Sequence, residues 1–268
     1  FPVILELHDR PTGRIGPLLF KAFLRQTGHK RLLVITSALQ AALEKQYDYH
    51  FQPGEIRVAP NGADLERYQD LPGATMARYQ LGLSEGPTVV YTGHFYAGRG
   101  TELLLELARR MPQVNFLWVG GRPEDVAHWQ KRLDETGVSN VLLTGFIENQ
   151  RLPLYQAAGD VLLMPYERSI AGSSGGNSVE ICSPMKMFEY MASGRAIIAS
   201  DLPVLHEVLN PDNCVFCPPE DVDAWHACLT TLLADHERRR RLEQQTRSDI
   251  ARYTWRARAE LALENFPS

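Results

Sequence analysis

Short apolar runs that alternate with amphipathic stretches constrain this chain more than any other feature. Residues 32–35, 88–91, 116–119, 141–143, 161–164 and 196–199 are runs of Leu, Val, Ile, Phe, Trp, Tyr, Met and Ala, broken only by Thr88. Each is too short for a typical helix and too uniformly apolar for a strand with one wet face, so each predicts a strand covered on both sides. Between them, residues 17–26, 38–47, 101–110, 126–136, 152–158, 221–234 and 237–253 carry apolar residues at helical spacing. Shorter strands are predicted at 1–7, 55–59 and 213–216, and a last amphipathic helix at 255–266. Strand and helix in strict alternation give an α/β protein with a doubly wound parallel sheet. Pro72, Gly73, Gly82, Gly86 and Pro87 punctuate residues 71–87, which therefore read as a linker. The division predicted is 1–80, an incomplete Rossmann-like unit with the linker; 81–250, a larger Rossmann-like unit; and 251–268, a closing helix.

Composition excludes several classes. The 268 residues are 44% hydrophobic and 22% charged, as in soluble globular proteins. A net charge of −4 supplies no field for nucleic acid. The run Arg238 to Arg241 lies between Glu237 and Glu243 and reads as the wet face of a helix. Of four cysteines, Cys214 and Cys217 have the C-x-x-C spacing but no second pair, which argues against zinc. Pro218-Pro219 follow them, as in a loop rather than a redox helix start. Free thiols fit a reducing, cytoplasmic setting. No membrane span or signal peptide is legible, and a first residue of Phe reads as other than a native start.

The richest stretch for chemistry is residues 183–200, Ser-Pro-Met-Lys-Met-Phe-Glu-Tyr-Met-Ala-Ser-Gly-Arg-Ala-Ile-Ile-Ala-Ser. Met187, Phe188, Tyr190 and Met191 predict a helix, stopped by Ser193-Gly194 because Gly takes the left-handed cap freely. Lys186 and Glu189, three apart, share one helical face. A Gly/Ser loop at 171–178 precedes them, and helix N-termini attract anions. Ligands of open parallel sheets lie outside the carboxyl ends of the strands. Four loops fall there: 93–100, 120–121, 144–147 and 171–184. The G-x-G-x-x-G dinucleotide spacing is absent from the first.

Residues 186–203 resemble the donor-binding signature of retaining GT-B glycosyltransferases, the group 1 or GT4-like family. Residues 61–68, Asn-Gly-Ala-Asp-Leu-Glu-Arg-Tyr, resemble the same family at the hinge between its two domains. The resemblance implies a nucleotide-diphosphate sugar as donor substrate, no cofactor, no metal, and transfer to an acceptor hydroxyl with retention. It implies that Glu189 binds the donor ribose. Gly93 to Gly100 resembles the segment whose cations grip the diphosphate: Arg99 stands at the usual Lys, and His94 at the usual Arg. A neutral imidazole brings no charge, so Arg99 and Lys186 are the expected catalytic cations. Gly145-Phe146-Ile147 resembles the segment whose backbone reads the base. Ser183 and Pro184 complete the donor-binding set of Gly93, His94, Arg99, Gly145, Phe146, Ile147, Lys186 and Glu189. The acid eight residues before Glu189 is replaced by Ile181. Either Glu180, one residue away, shifts in, or Ser183 and backbone N–H groups bind the sugar. His8-Asp9 resembles a strand-end motif of the acceptor-side domain, and His8 reads as a base or as a plain loop histidine.

The expected partners are that donor and a carbohydrate or lipid-linked acceptor seated on a domain mostly missing from residues 1–70. Peripheral contact at the inner membrane face and a homo-oligomer stay open. A sheet of so few strands is expected to leave Val3, Leu5, Leu33 and Ile35 short of partners, and the last helix short of part of its seat. The alternatives are a non-catalytic nucleotide-sugar module, a nucleotide-sugar epimerase and a nicotinamide-dependent oxidoreductase.

Overall fold

The computed structural model describes residues 1–170 and 178–267. Its strands form two parallel sheets. In the first, β1 (Val3–Leu7), β2 (Lys30–Val34) and β3 (Ile56–Val58) lie in the order β1-β2-β3, with Leu5 opposite Leu32 and Leu33 opposite Arg57. Helices α1 (Gly16–Arg25) and α2 (Ser37–Tyr47) pack on one face. Phe20, Phe23 and Leu24 point inward from α1, and Leu39 and Leu43 from α2, meeting Leu32 and Val34 of β2.

The second sheet holds β4 (Thr88–Thr92), β5 (Asn115–Val119), β6 (Val141–Leu143), β7 (Val161–Met164), β8 (Ala196–Ser200) and β9 (Val215–Cys217), in the order β6-β5-β4-β7-β8-β9. Chain order thus runs outward one way to β6, then jumps back across β4 to β7. Around it lie α4 (Thr101–Arg110), α5 (Pro123–Thr136), α6 (Leu152–Ala157), α7 (Met185–Ser193), α8 (Val222–Ala234) and α9 (His236–Ile250). Alternate side chains serve opposite faces. Val90 and Leu162 join α7 in one core, while Val89, Tyr91, Val161 and Leu163 join α4 and α8 in the other. Every residue of β4, β7 and β8 is buried. That is why these runs read as uniformly apolar.

The structure corrects three expectations. Residues 71–87 are not bare linker, because they hold α3 (Ala74–Gln80), whose Ala77 is fully buried. Gly73 and Gly82 bracket this helix instead of breaking it. Cys217 is the last residue of β9, not part of a loop, and burial pushes its thiol and that of Cys214 well above the ordinary range. All four cysteines are free. Leu33 and Ile35 are not short of partners but buried, and only Val3 and Leu5 stay half-exposed. Ile35 packs into the core formed with α1 and α2, beside Leu39 and Ile181, and α10 (Trp255–Leu263), at the far end of the chain, comes back to this sheet. Arg31, on the face of β2 that also carries Leu33, donates to the carbonyls of Ala262 and Glu264 at 2.9 and 2.7 Å. Arg258 donates to Ala59 O at 3.1 Å and to Glu6 at 2.7 Å. No side chain of α10 is itself fully buried.

Contacts between the lobes are specific. The Glu207 carboxylate, from the second, accepts from the N–H groups of Ser37 and Ala38 at 2.7 and 2.9 Å and so caps α2. The Thr36 hydroxyl accepts from Leu39 N and donates to Ile181 O at 2.9 Å. Among the described residues no helix is long and apolar enough to cross a membrane.

Candidate functional site

The jump from β4 to β7 makes this site. Neighbouring strands whose connections leave in opposite directions open a crevice outside their carboxyl ends. A cavity of about 410 Å³ lies there. Its walls are Thr92, Gly93 and His94 after β4; Val119 to Pro123 after β5; Phe146, Ile147 and Asn149 after β6; and Leu152, Lys186 and Glu189 from α6 and α7. A larger cavity, about 1,070 Å³, opens at the opposite strand ends, beside α3 and the α8–α9 junction. Its charged groups are already engaged: Arg78 with Asp160 at 3.0 Å, and Arg239 with the last carbonyls of α8.

Two glycines let the walls close on one another. Gly93 has φ +141°, and a Cβ there would sit 2.7 Å from Lys186 Nζ. Gly120 has φ +116°, and its Cβ would lie 2.4 Å from Gly93 O. Both positions disfavour a side chain on conformational grounds, and at Gly120 the backbone of Gly93 excludes one sterically as well. The helix carrying Lys186 is pinned under the sheet by Tyr190, whose hydroxyl accepts from Thr92 N at 2.8 Å and donates to Leu163 O at 3.3 Å.

Lys186 is the most strained group electrostatically. Its Nζ is shut off from solvent and has no hydrogen-bond partner among the described residues. It stands 4.0 Å from the centroid of the Tyr91 ring and 5.3 Å from that of Tyr166. Burial pushes its pKa well down, the nearby Arg99 cation adds to that, and the Glu189 carboxylate opposes it. Arg99 is layered between Tyr96 and Tyr166, 4.8 and 5.1 Å from their centroids. It donates to the Tyr96 hydroxyl at 2.6 Å, while its Nε is buried without a partner among the described residues. His94 is exposed and stacks on Tyr96. Desolvation lowers its pKa, and the cations Arg99, Arg122 and Lys186 lower it further, so it is neutral at pH 7. The carboxylate of Glu189 is raised by burial and drawn back by Arg67, Lys186 and the Gln156 amide, in that order.

Of the residues singled out in the sequence, Gly93, His94, Phe146, Ile147, Lys186 and Glu189 share the cavity wall. Arg99 stands behind it, against Lys186. Gly145 supports the wall, its carbonyl accepting from Gly120 N at 2.9 Å. Ser183 and Pro184 lie outside it: Ser183 is buried, and its carbonyl accepts from Asn61 Nδ2 at 2.7 Å. Ile181 wedges into the core of the first sheet, and the exposed Glu180 faces Arg10 at 3.9 Å. His8 lies exposed beside Glu6, remote from the cavity wall. The Gly/Ser loop lies, but for Ser178, outside the described residues. Sequence reasoning missed Arg122, Asn149, Arg67 and Gln156, since only the folded topology brings them to the crevice. No group of acids, histidines and cysteines among the described residues is arranged to hold a metal.

The family profile described as "Glycosyl transferases group 1" matches residues 86–235. This chain belongs to that family. The match spans the whole of the sheet that builds the crevice. A D-inositol 3-phosphate glycosyltransferase of Xylanimonas cellulosilytica is 26% identical over 257 residues, 90% of this chain and 59% of the relative. A phosphatidyl-myo-inositol mannosyltransferase of Mycolicibacterium smegmatis is 26% identical over 260 residues, 95% of this chain and 62% of the relative. The chain thus spans about three fifths of the length of these relatives. Among solved structures, Anabaena HepE in complex with UDP and glucose superposes with a TM-score of 0.73 at 17% identity, over 98% of this chain and 70% of HepE. The architecture is therefore that of GT-B glycosyltransferases.

Proposed function

We propose that the crevice binds a nucleoside-diphosphate sugar and that the whole protein transfers the sugar to an acceptor hydroxyl, with retention and without a metal. The observation that carries this reading is the buried amine of Lys186, without a hydrogen-bond partner among the described residues, and the Nε of Arg99 likewise. An unpaired buried cation costs several kcal/mol unless an anion arrives to meet it. The donor diphosphate is that anion. Lys186 and Arg99 neutralise it as the glycosidic bond breaks and charge gathers on the leaving phosphate. Glu189, one helical turn on, accepts from the ribose hydroxyls, and Phe146 and Ile147 line the end where the base lies. HepE binds UDP at a fold of this kind, which supports a nucleotide ligand.

Residues 81–250 are in this proposal the donor-binding unit, residues 1–80 the acceptor-side part, and residues 251–268 the helix tying them together. As a chain of this length it binds nucleotide with negligible transfer, because three strands supply little of an acceptor wall. The acceptor is a carbohydrate or a lipid-linked sugar. Helix α1 supports contact with an anionic lipid surface: Ile15, Leu18 and Leu19 are each about two-thirds exposed, Arg14, Lys21 and Arg25 surround them, and no acid occurs between Asp9 and Glu44.

Glu189→Ala tests the donor assignment. Losing a charged hydrogen-bond acceptor costs about 1.5–3 kcal/mol, so affinity for the preferred diphosphate among UDP, GDP and ADP should fall at least about tenfold, with unfolding unchanged. An unaltered dissociation constant by calorimetry would refute the assignment.

A further inference from the structure

The Arg99 guanidinium is held by tyrosines rather than by carboxylates. Its Cζ stands 4.8 Å from the centroid of the Tyr96 ring and 5.1 Å from that of Tyr166, and its Nη2 donates to the Tyr96 hydroxyl at 2.6 Å. The acids beside the loop are engaged elsewhere. Glu167 accepts from Gly100 N at 3.2 Å, and Glu220 pairs with Arg168 at 3.8 Å. Glu167 N in turn donates to Gly98 O at 3.2 Å. Both chain neighbours of Arg99 are thus tied to the segment that carries Tyr166. Tyr166 is buried, whereas Tyr96 is 38% exposed. The His94 ring stacks on Tyr96, 5.3 Å between centroids and 26° between planes, and the His94 carbonyl accepts from the Tyr91 hydroxyl at 2.7 Å. Tyr91 and Tyr166 are also the rings that face Lys186. One set of tyrosines therefore surrounds both basic groups.

We propose that Tyr96 is a positioning residue of the donor site: with Tyr166 it holds the Arg99 guanidinium in place for the diphosphate without neutralising it. The inference rests on the diphosphate reading of the crevice. A carboxylate would also fix an arginine, but as a counter-ion that the incoming diphosphate would have to displace. A tyrosine attracts a cation through the face of its ring, accepts one N–H at its hydroxyl and brings no counter-charge of its own. A guanidinium has five N–H donors in a rigid fork. One of them goes to Tyr96, and the buried Nε has no partner among the described residues. Donors of the fork are thereby left for phosphate oxygens, and a side chain already ordered loses less freedom on binding. The same stack gives His94 a place. It brings no charge to the diphosphate and instead extends the layer built on Tyr96. Because Tyr96 is partly exposed in a loop, replacing it loosens the clamp without opening the core.

The test has two independent readouts. The first is the heteronuclear NOE of the Arg99 Nε–H group by nitrogen-15 NMR, assigned through Arg99→Met, with no ligand present. It falls as a side chain gains fast internal motion. Tyr96→Phe keeps the ring and loses the hydroxyl bond, whereas Tyr96→Leu loses both. The NOE should drop in Tyr96→Leu and drop less in Tyr96→Phe. The second readout is calorimetry with the preferred diphosphate among UDP, GDP and ADP and with its nucleoside. The excess affinity for the diphosphate should shrink about threefold in Tyr96→Phe and about tenfold in Tyr96→Leu. Nucleoside affinity should stay unchanged, which a general loosening of the fold would not spare. In an Arg99→Met background Tyr96→Leu should cost nothing further, because Tyr96 acts through Arg99. An Arg99 NOE that Tyr96→Leu leaves unchanged overturns the inference, and so does an equal loss of diphosphate affinity with and without Arg99. An NOE that drops while the unaltered chain binds the diphosphate no better than the nucleoside supports the clamp and refutes the diphosphate reading.

Discussion

β4, β7 and β8 bury every residue they have, whereas β1 and β3 bury none completely. β1 and β3 each carry one charged residue, Glu6 and Arg57, but their remaining residues are Val, Ile and Leu, as apolar as those of the buried strands. What differs is position. β4, β7 and β8 each have a strand on both sides and helices over both faces. β1 and β3 are the two edges of a three-stranded sheet, and β2 between them buries four of its five residues. Burial here follows neighbours rather than hydrophobicity. The site obeys the same rule. The Lys186 amine is kept from water only by rigid walls, and β4 and the residues just after β7, central in the larger sheet, carry the Tyr91 and Tyr166 rings that face it. The first lobe carries exposed leucines on α1 and an exposed histidine at the end of β1. It is a surface, whereas the second lobe is a container.

Substitutions in the two sheets should separate them most widely. Ile197→Ala in β8 removes a fully buried side chain and should cost about 2–5 kcal/mol in urea unfolding. Ile4→Ala in β1, half-exposed, should cost about 1 kcal/mol or less. Equal losses would break the comparison. Lys186→Met sharpens it from the opposite direction. Replacing an unpartnered buried cation by an apolar chain of similar length should raise the melting temperature of the free protein. The same change should weaken binding of the preferred nucleoside diphosphate at least about tenfold. A variant that is destabilised, or that binds as well as before, would show that Lys186 already has its partner within the chain. The smallest effect is expected at the seam. Glu207→Ala uncaps α2 and should cost about 1 kcal/mol of stability, with nucleotide affinity unchanged. A loss of affinity there would show that the two lobes share the donor site more deeply than these contacts indicate.

The larger sheet was legible in the sequence because central parallel strands announce themselves. The predicted bounds of α4, β6 and β7 coincide with the observed ones. The edges were less legible. α3 was hidden because glycines that bracket a short helix resemble glycines that prevent one. Lys186 and Glu189 share a cavity wall, as their three-residue spacing on one helix allows. Arg67, Arg122 and Gln156 carry no such signal. Arg122 lines the crevice, Arg67 and Gln156 lie near Glu189, and no local pattern encodes which loop ends a strand order of β6-β5-β4-β7-β8-β9 brings together.

The central claim is that the crevice binds a diphosphate through Lys186 and Arg99, and calorimetry on the unaltered chain tests it most directly. UDP, GDP and ADP are titrated beside uridine, guanosine and adenosine, at low and at high salt. The account predicts that the preferred diphosphate binds more tightly than its nucleoside, and that the excess shrinks as salt screens the charges of Lys186 and Arg99. Equal affinity for every diphosphate and its nucleoside, independent of salt, would contradict it.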